Sequence, residues 1–426
     1  MVKDIVLQHR LERDGFLSRS YILREKISLA QRFLDSDLIK IITGPRRAGK
    51  SVFSVLLLRD KNFAYLNFDD ENLLKIKNYD EIVEAIFEVY PEARFVLFDE
   101  IQNLENWEIF VNKLQRRGFN LILTGSNARL LSKELATALT GRYIPIEIFP
   151  FSFKEFLRAK KIEIKREETN LPEIKGRILN YLDEWLKKGG FPEVIVKDLE
   201  PKTYLETLFD AILFRDVVKR YKVRFSTKIY DLATYLISNF CSEYSFTKLR
   251  NILGFRSTNT VEKYIKYLEE SFLIFSLNRF SFKVKEQIRA PRKVYIIDNG
   301  FILAKSVQFS RNTGRLIENL VFTEILRKGY KLNKDVFYHK TSNGNEIDFV
   351  LRKGIKIEKL IQVCYDIENI QIKERELRGL IKGSEELNCN NLVVITWDYE
   401  GEEKFKGGKI NFVPLWKWLL EAGESK

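Results

Sequence analysis

The sequence predicts an α/β chain that begins with a parallel sheet covered by helices on both faces, and three observations carry this. Between residue 38 and about 150, short unbroken apolar runs ("LIKIIT", "FAYLNF", "RFVLFDE", "NLILTGS") alternate with amphipathic stretches. Strands buried on both faces read as continuous apolar runs, and helices between them make parallel crossovers. The first run ends in a glycine-bounded turn, Gly44 to Ser51, that opens a helix. Finally, 426 residues are too many for one ordinary core, so two to four domains are expected.

The elements follow in order. "LIKIIT" leads into a helix from Gly49; "FAYLNF" precedes a helix near 79 to 90; "RFVLFDE" precedes one near 106 to 117; "NLILTGS" closes the pattern, so residues 1–150 form the first expected domain. Beyond "IPIEIFPFSFKEFL" the strands stop, and residues 151–225 read as a helical lid, broken at Gly-Gly-Phe-Pro in "YLDEWLKKGGFPEV". Residues 226–297 are expected to hold three short helices and a β-prone ribbon, "FLIFSLNRFSFKVKEQ" at 272 to 287. From 298 to 426 helix and strand mix again, and no tandem repeat or low-complexity segment is found.

Composition narrows the function classes. Cys241, Cys364 and Cys389 form no metal-type spacing and cannot pair evenly, which suits a reducing cytoplasm. "MVKDIVLQHRLERDGF" has no apolar core of the kind a secretory signal needs, and no stretch is long enough to span a bilayer. A soluble, cytoplasmic protein is expected. With only His9 and His339, any metal is expected to be held by oxygen. A net charge of +13 makes a polyanion a natural partner. Richness in Lys, Glu, Ile and Tyr with a single Met also reads as thermophilic, where charge serves surface ion-pair networks.

Gly44-Pro45-Arg46-Arg47-Ala48-Gly49-Lys50-Ser51 fits G-x-x-x-x-G-K-[ST] after a buried strand and at the start of a helix, the context a phosphate-binding loop requires. Its glycines let the backbone curl so that N–H groups face a phosphate, and the helix end adds positive potential. These eight residues and Val52 are the expected contacts of ATP, with Lys50 reaching the β- and γ-phosphates and Ser51 a ligand of magnesium (Mg²⁺). In "FVLFDEI", Asp99 ends a strand as the second Mg²⁺ residue, and Glu100 follows as the base that polarises water. "LILTGSNARLL" offers Thr124, Ser126 and Asn127 for sensing the γ-phosphate, without deciding among them; a strand-to-helix cap by Ser126 or Asn127 fits equally. In "LTGRYIPIEI", Arg142 is the candidate cation at the γ-phosphate, in its own chain or a neighbour's.

These motifs, with "FPFSFKEF", "GGFPEV" and "FRDVVKRY", resemble an archaeal and bacterial group of AAA-superfamily ATPases over nearly the whole chain. The resemblance implies an AAA-type P-loop core with a parallel five-stranded sheet between helices, then a winged-helix segment and a restriction-endonuclease-like C-terminal domain. It also supports Asp99 and Glu100 in the roles given above.

In "SFTKLRNILGFRSTNTVEKYIKYLEE" two helices flank a short turn, a helix-turn-helix pattern whose second helix presents Asn259, Thr260, Lys263 and Lys266. Arg279, Lys283, Lys285, Arg289, Arg292 and Lys293 follow on the ribbon against a lone Glu286, as a wing touching DNA phosphates would. A helical docking domain with a solvated basic face is the other reading of this segment. Further on, Glu318 in a helix and Asp348 in "GNEIDFVLRKG" resemble two positions of the PD-(D/E)XK nucleases. At the third the chain has Gln362-Val363-Cys364, so one carboxylate and the lysine are missing. A fold retained without cutting is therefore expected, with Glu318, Glu346 and Asp348 read as surface acids balancing the basic run "RKGIKIEK", or as gathering one ion weakly.

The expected function is an ATPase whose nucleotide state moves a winged helix and a nuclease-like module on DNA, with a second copy of the chain as a possible partner. A nucleotide-dependent docking switch and an ATP-controlled nuclease are the alternatives.

Overall fold

The structure is a computed structural model that describes residues 2–131, 138–139, 141–169, 171–306 and 312–421. The chain divides into two compact units, residues 1–151 with 270–272, and residues 152–269 with 273–426.

In the first unit, five strands, β1 (Ile39–Thr43), β2 (Phe63–Asn67), β3 (Phe95–Asp99), β4 (Asn120–Gly125) and β5 (Tyr143–Glu147), form one sheet in the order β2-β3-β4-β1-β5. All pairs are parallel. Alternate side chains leave opposite faces. Ile39 and Ile41 join Leu66, Phe98 and Leu123 in one core, while Ile42 joins Tyr65, Leu97 and Ile122 in another. Helices α1 (Val2–Leu17), α2 (Lys50–Leu57), α3 (Tyr79–Val89) and α4 (Trp107–Arg116) supply the covering layers. α1 was not anticipated, because its polar residues conceal the narrow stripe Ile5, Val6 and His9 that it buries. Since β1 lies between β4 and β5, its carboxyl end sits where the strand order reverses, the place where open α/β sheets bind ligands.

The second unit opens with α5 (Phe153–Ala159), α6 (Pro172–Lys188) and α7 (Pro201–Ala211), the last running on as a π-helix over Ile212–Lys219. The Ser152–Glu155 capping box starts α5, closing two backbone donors that would otherwise lack partners. Next come α8 (Ser226–Ser238), β6 (Glu243–Tyr244), α9 (Phe246–Leu253), α10 (Thr258–Glu270), β7 (Ile274–Asn278) and β8 (Arg292–Ile296). The three strands form an antiparallel sheet with β8 in the middle.

The expected ribbon is interrupted. β7 leaves β8 after Asn278, where Arg279 bridges to Tyr338, and Val284–Arg289 forms a helix that buries no side chain. After a short helix over Asn299–Lys305 come α11 (Thr313–Arg327), β9 (Val336–Lys340), β10 (Glu346–Lys353), β11 (Lys356–Cys364), α12 (Ile370–Leu387), β12 (Leu392–Thr396), β13 (Gly401–Phe405), β14 (Gly408–Pro414) and α13 (Leu415–Glu421). Its sheet runs β13-β14-β12-β11-β10-β9: β9, β10 and β11 pair antiparallel, and α12 carries the chain from β11 to a parallel β12. No helix among the described residues is long and apolar enough to cross a membrane.

Candidate nucleotide-binding site

β1 is buried along its whole length and delivers its carboxyl end into the loop from Gly44 to Gly49. Gly44 has φ +147°, and a Cβ there would stand 2.0 Å from the Ile148 carbonyl oxygen, so no side chain fits. Arg47 (φ 65°) and Gly49 (φ 90°) are left-handed, which curls the loop back before α2 starts at Lys50. Right- and left-handed residues in succession turn neighbouring N–H groups into an anion-binding concavity. Pro45 and Ala48 are buried, Arg46, Ser51 and Val52 are half-buried, and Arg47 is exposed. The buried Arg24 holds the loop from behind, donating to the carbonyl oxygens of Ala48 (2.8 Å) and Phe149 (2.6 Å).

Lys50 is buried, with Nζ 3.0 Å from the Pro45 carbonyl oxygen and 3.8 Å from Glu100 Oε1. Asp99 ends β3 and is the hub of a polar cluster. Ser51 Oγ donates to its Oδ1 at 3.0 Å, the Thr124 hydroxyl donates to the same oxygen, and Tyr65 donates to Oδ2 at 3.2 Å. Glu100 takes a left-handed backbone (φ 52°), and its N–H donates to Thr124 Oγ1 at 3.0 Å. Its Oε2 accepts from Gln102 Nε2 (2.5 Å) and from the Ser126 hydroxyl (3.1 Å) and N–H (3.3 Å).

The two acids are electrostatically distinct. Burial pushes the Asp99 carboxyl up, Glu100 beside it adds to this, and Thr124, Ser51 and Lys50 oppose it without prevailing. Burial acts on Glu100 in the same sense, but Lys50, Gln102, Arg46 and Ser126 outweigh it and hold Glu100 below the usual carboxylate range. A carboxylate kept charged beside a buried ammonium can accept a hydrogen bond from a water molecule and orient it.

Of the residues expected from sequence, Gly44 to Val52, Asp99, Glu100, Thr124 and Ser126 are brought together at the carboxyl ends of β1, β3 and β4. Asn127 is buried too, and the hydrogen bonds separate the candidates for the γ-phosphate side: Thr124 serves Asp99 and Ser126 serves Glu100. Arg142 stands apart from these residues. It is exposed at the amino end of β5, where its carbonyl oxygen accepts from Ile39 N–H, whereas the loop lies beside Ile148 at the other end of that strand. The five residues of β5 lie between the two, roughly 20 Å of strand, so of the two placements expected for Arg142 the one in its own chain does not fit. Thr140 of the same motif lies outside the described residues.

Tyr65, Gln102 and Arg24 were missed. Gln102 alone left a signal, because the short 3₁₀ turn Ile101–Asn103 directly after the paired acids folds it back onto Glu100.

In the second unit, Asn259, Lys263 and Lys266 are exposed on α10 and Thr260 is half-buried there. The basic ribbon is only partly as expected. Lys285 and Arg289 are exposed, but Arg279 donates to the Lys340 carbonyl oxygen (2.8 Å), and Lys283 pairs with Glu286 (3.2 Å). Arg292 lies over the Phe246 ring, and Lys293 is buried, turned inward toward Glu318, Glu346 and Asp348. A phosphate-contacting role for Lys293 is therefore withdrawn.

The five-stranded parallel sheet and its glycine-bounded loop are of the P-loop type, and residues 36–157 match the family described as an AAA domain. Residues 179–311 and 313–418 match two further families, each described as a domain of unknown function. The chain is 39% identical over 399 residues to the uncharacterised protein MJ1544 of Methanocaldococcus jannaschii, covering 90% of this chain and 88% of that one. It is 33% identical over 428 residues to an uncharacterised protein of Haemophilus influenzae, covering 95% of this chain and 100% of the relative. The chain belongs to the family of these two proteins. Among solved structures it is similar to the Walker-type ATPase PABY2304 of Pyrococcus abyssi, at 16% identity and a TM-score of 0.44, covering 67% of this chain and 95% of that one.

Proposed function

We propose that the protein hydrolyses ATP with Mg²⁺ and uses nucleotide state to drive the segments that follow its core on DNA. The observation that carries hydrolysis is the pairing of a phosphate loop with a charged Glu100, 3.8 Å from the Lys50 ammonium. Lys50 would release the neutral Pro45 carbonyl for the β- and γ-phosphates, and the Gly44–Ser51 backbone would receive the phosphate oxygens. The Ser51 hydroxyl and Asp99 carboxylate, already 3.0 Å apart, form an oxygen donor pair of the kind Mg²⁺ prefers. When bound, that ion would neutralise charge on the phosphates. Glu100, oriented by Gln102 and Ser126, would align the attacking water and accept its proton. Arg142, remote from its own loop, suits a neighbouring subunit's site, so the complete ATPase would be a homo-oligomer.

The DNA role is supported by the order α8, β6, α9, α10, β7, β8 with its three-stranded sheet, which fits a winged helix, and by Asn259, Lys263 and Lys266 exposed on its last helix. The order α11, β9, β10, β11, α12, β12 suits the nuclease-like module. A docking switch is the second reading, favoured by Phe282, Val284 and Ile288, which are exposed together on the excursion between β7 and β8. Turnover of ATP with and without duplex and single-stranded DNA separates the two. Stimulation by DNA that falls steeply between about 50 and 200 mM salt supports the first reading. Turnover indifferent to DNA at every salt concentration supports the second, and no turnover at all refutes both.

A further inference from the structure

The C-terminal acids resemble a divalent-metal site in sequence, yet a cation of the chain itself stands among them. Lys293 is on β8, the central strand of its sheet, paired with Glu243 on one side and Leu277 on the other. Its side chain is 1% exposed. Nζ lies 2.7 Å from Glu318 Oε1, 2.6 Å from Glu346 Oε1 and 3.7 Å from Asp348 Oδ1. Glu318 Oε1 also accepts from the buried Tyr295 hydroxyl at 2.7 Å, and Asp348 Oδ2 from the Val363 N–H at 2.9 Å.

The neighbouring side chains are engaged elsewhere or uncharged. Gln362, where such nucleases have a carboxylate, accepts from the Asp348 N–H (3.2 Å) and donates to Glu376 (2.7 Å), so both ends of its amide are engaged. Cys241, buried and close to Glu318, has its thiol pushed up by burial first and by that carboxylate second, which keeps it neutral.

We propose that the Lys293 ammonium is the resident cation of this cluster, filling the place a divalent ion would take, so that the module binds no Mg²⁺ or Mn²⁺ and does not cleave phosphodiesters. An ammonium that donates to two carboxylates at these distances makes charge-assisted hydrogen bonds. It comes from the middle of a sheet rather than from a loop, so its backbone is held at the cluster by strands on both sides. Burial alone would lower the Lys293 pKa, but Glu318, Asp348 and Glu346 outweigh it and keep the side chain charged. The inference is independent of the nucleotide site.

The test uses the full chain without nucleotide, as wild type, Lys293→Met and Lys293→Gln. Each is titrated calorimetrically with Mn²⁺ and unfolded thermally in EDTA and in Mn²⁺. Removing one partner of a buried ion pair leaves uncompensated charge, so both variants should melt below wild type in EDTA. They should regain stability in Mn²⁺ and bind it at least roughly tenfold more tightly than wild type, because three clustered carboxylates are then open to the ion. Adding Asp348→Asn should erase the gain. Two results overturn the proposal: Mn²⁺ binding by the wild type that Asp348→Asn removes, or variants that Mn²⁺ neither binds nor stabilises, whether they fold in EDTA or not.

Discussion

Lys50 and Lys293 are both buried and both approach carboxylates, yet the partners that hold them differ in kind. Lys50 follows a glycine-bounded loop and donates to a neutral carbonyl at 3.0 Å, with Glu100 at the looser distance of 3.8 Å. Lys293 comes from a central strand and touches two carboxylates at hydrogen-bonding distance. Exchanging a neutral hydrogen bond for a phosphate costs about 1 kcal/mol before the new contacts form. Breaking a desolvated ion pair costs about 3–5 kcal/mol. An acid-lysine cluster is therefore a binding site only where the lysine's present partners are replaceable.

The largest expected effect breaks the comparison on the nucleotide side. Glu100→Gln should bind ATP as the wild type does while turnover falls about a thousandfold, because a neutral amide cannot accept the water's proton. Unchanged turnover would remove Glu100 from the reaction. Lys50→Ala should weaken binding of a fluorescent ATP analogue about a hundredfold, the loss expected of a charge-assisted contact to phosphate. Equal affinity in the two proteins would mean that the loop lysine is held by its own chain as firmly as Lys293 is.

A third substitution tests the loop. Gly44→Ala puts a methyl group 2.0 Å from the Ile148 backbone oxygen, in a region of φ that side chains avoid. Backbone must move, so thermal unfolding should report a loss of about 3 kcal/mol or more. Wild-type stability with intact nucleotide binding would show that the tight approach of β1's exit to β5's exit is dispensable.

Much of this comparison was legible in the sequence on one side and little on the other. The loop, Asp99 and Glu100 could be read because they are local: a strand, a turn and a helix in one stretch, with the acids closing another apolar run. Four strands of the core, β1 to β4, followed for the same reason, whereas the count of five rested on the family resemblance. The supports of that site could not be read. Tyr65 reaches Asp99 only because β2 and β3 are neighbours in register, and Arg24 reaches Ala48 and Phe149 across long sequence separations. Lys293 was misread because a lysine among basic neighbours looks solvated. The unbroken apolar run "VYII" directly after it was the available hint that its strand is buried, but only the fold shows that Glu318 and Glu346 meet it. The excursion at 284–289 was read as ribbon because β-prone residues precede it, and the switch of pairing from β8 to Tyr338 is nonlocal.

Lys40 supplies the smallest effect and sharpens what burial alone does to a lysine. It sits on β1, buried, and its ammonium donates to the Ser36 carbonyl oxygen (2.5 Å) and to Asn120 Oδ1 (2.7 Å), both neutral. Burial pulls its pKa down to about 8, against the pull of Asp35 and Asp37, whereas Lys293 with carboxylate partners is driven the other way. The unfolded chain holds this proton up to its ordinary value of 10.5, so between about 8 and 10.5 the unfolded state binds more protons and stability rises with pH. At neutral pH the charged form is a burden that Lys40→Met does not carry. The stability of Lys40→Met relative to wild type should therefore fall as pH rises from 7 to 10, by on the order of 1–2 kcal/mol. Thermal unfolding of both proteins across that range measures it. A difference that stays flat would mean that the Asn120 and Ser36 oxygens satisfy the ammonium as fully as the carboxylates satisfy Lys293.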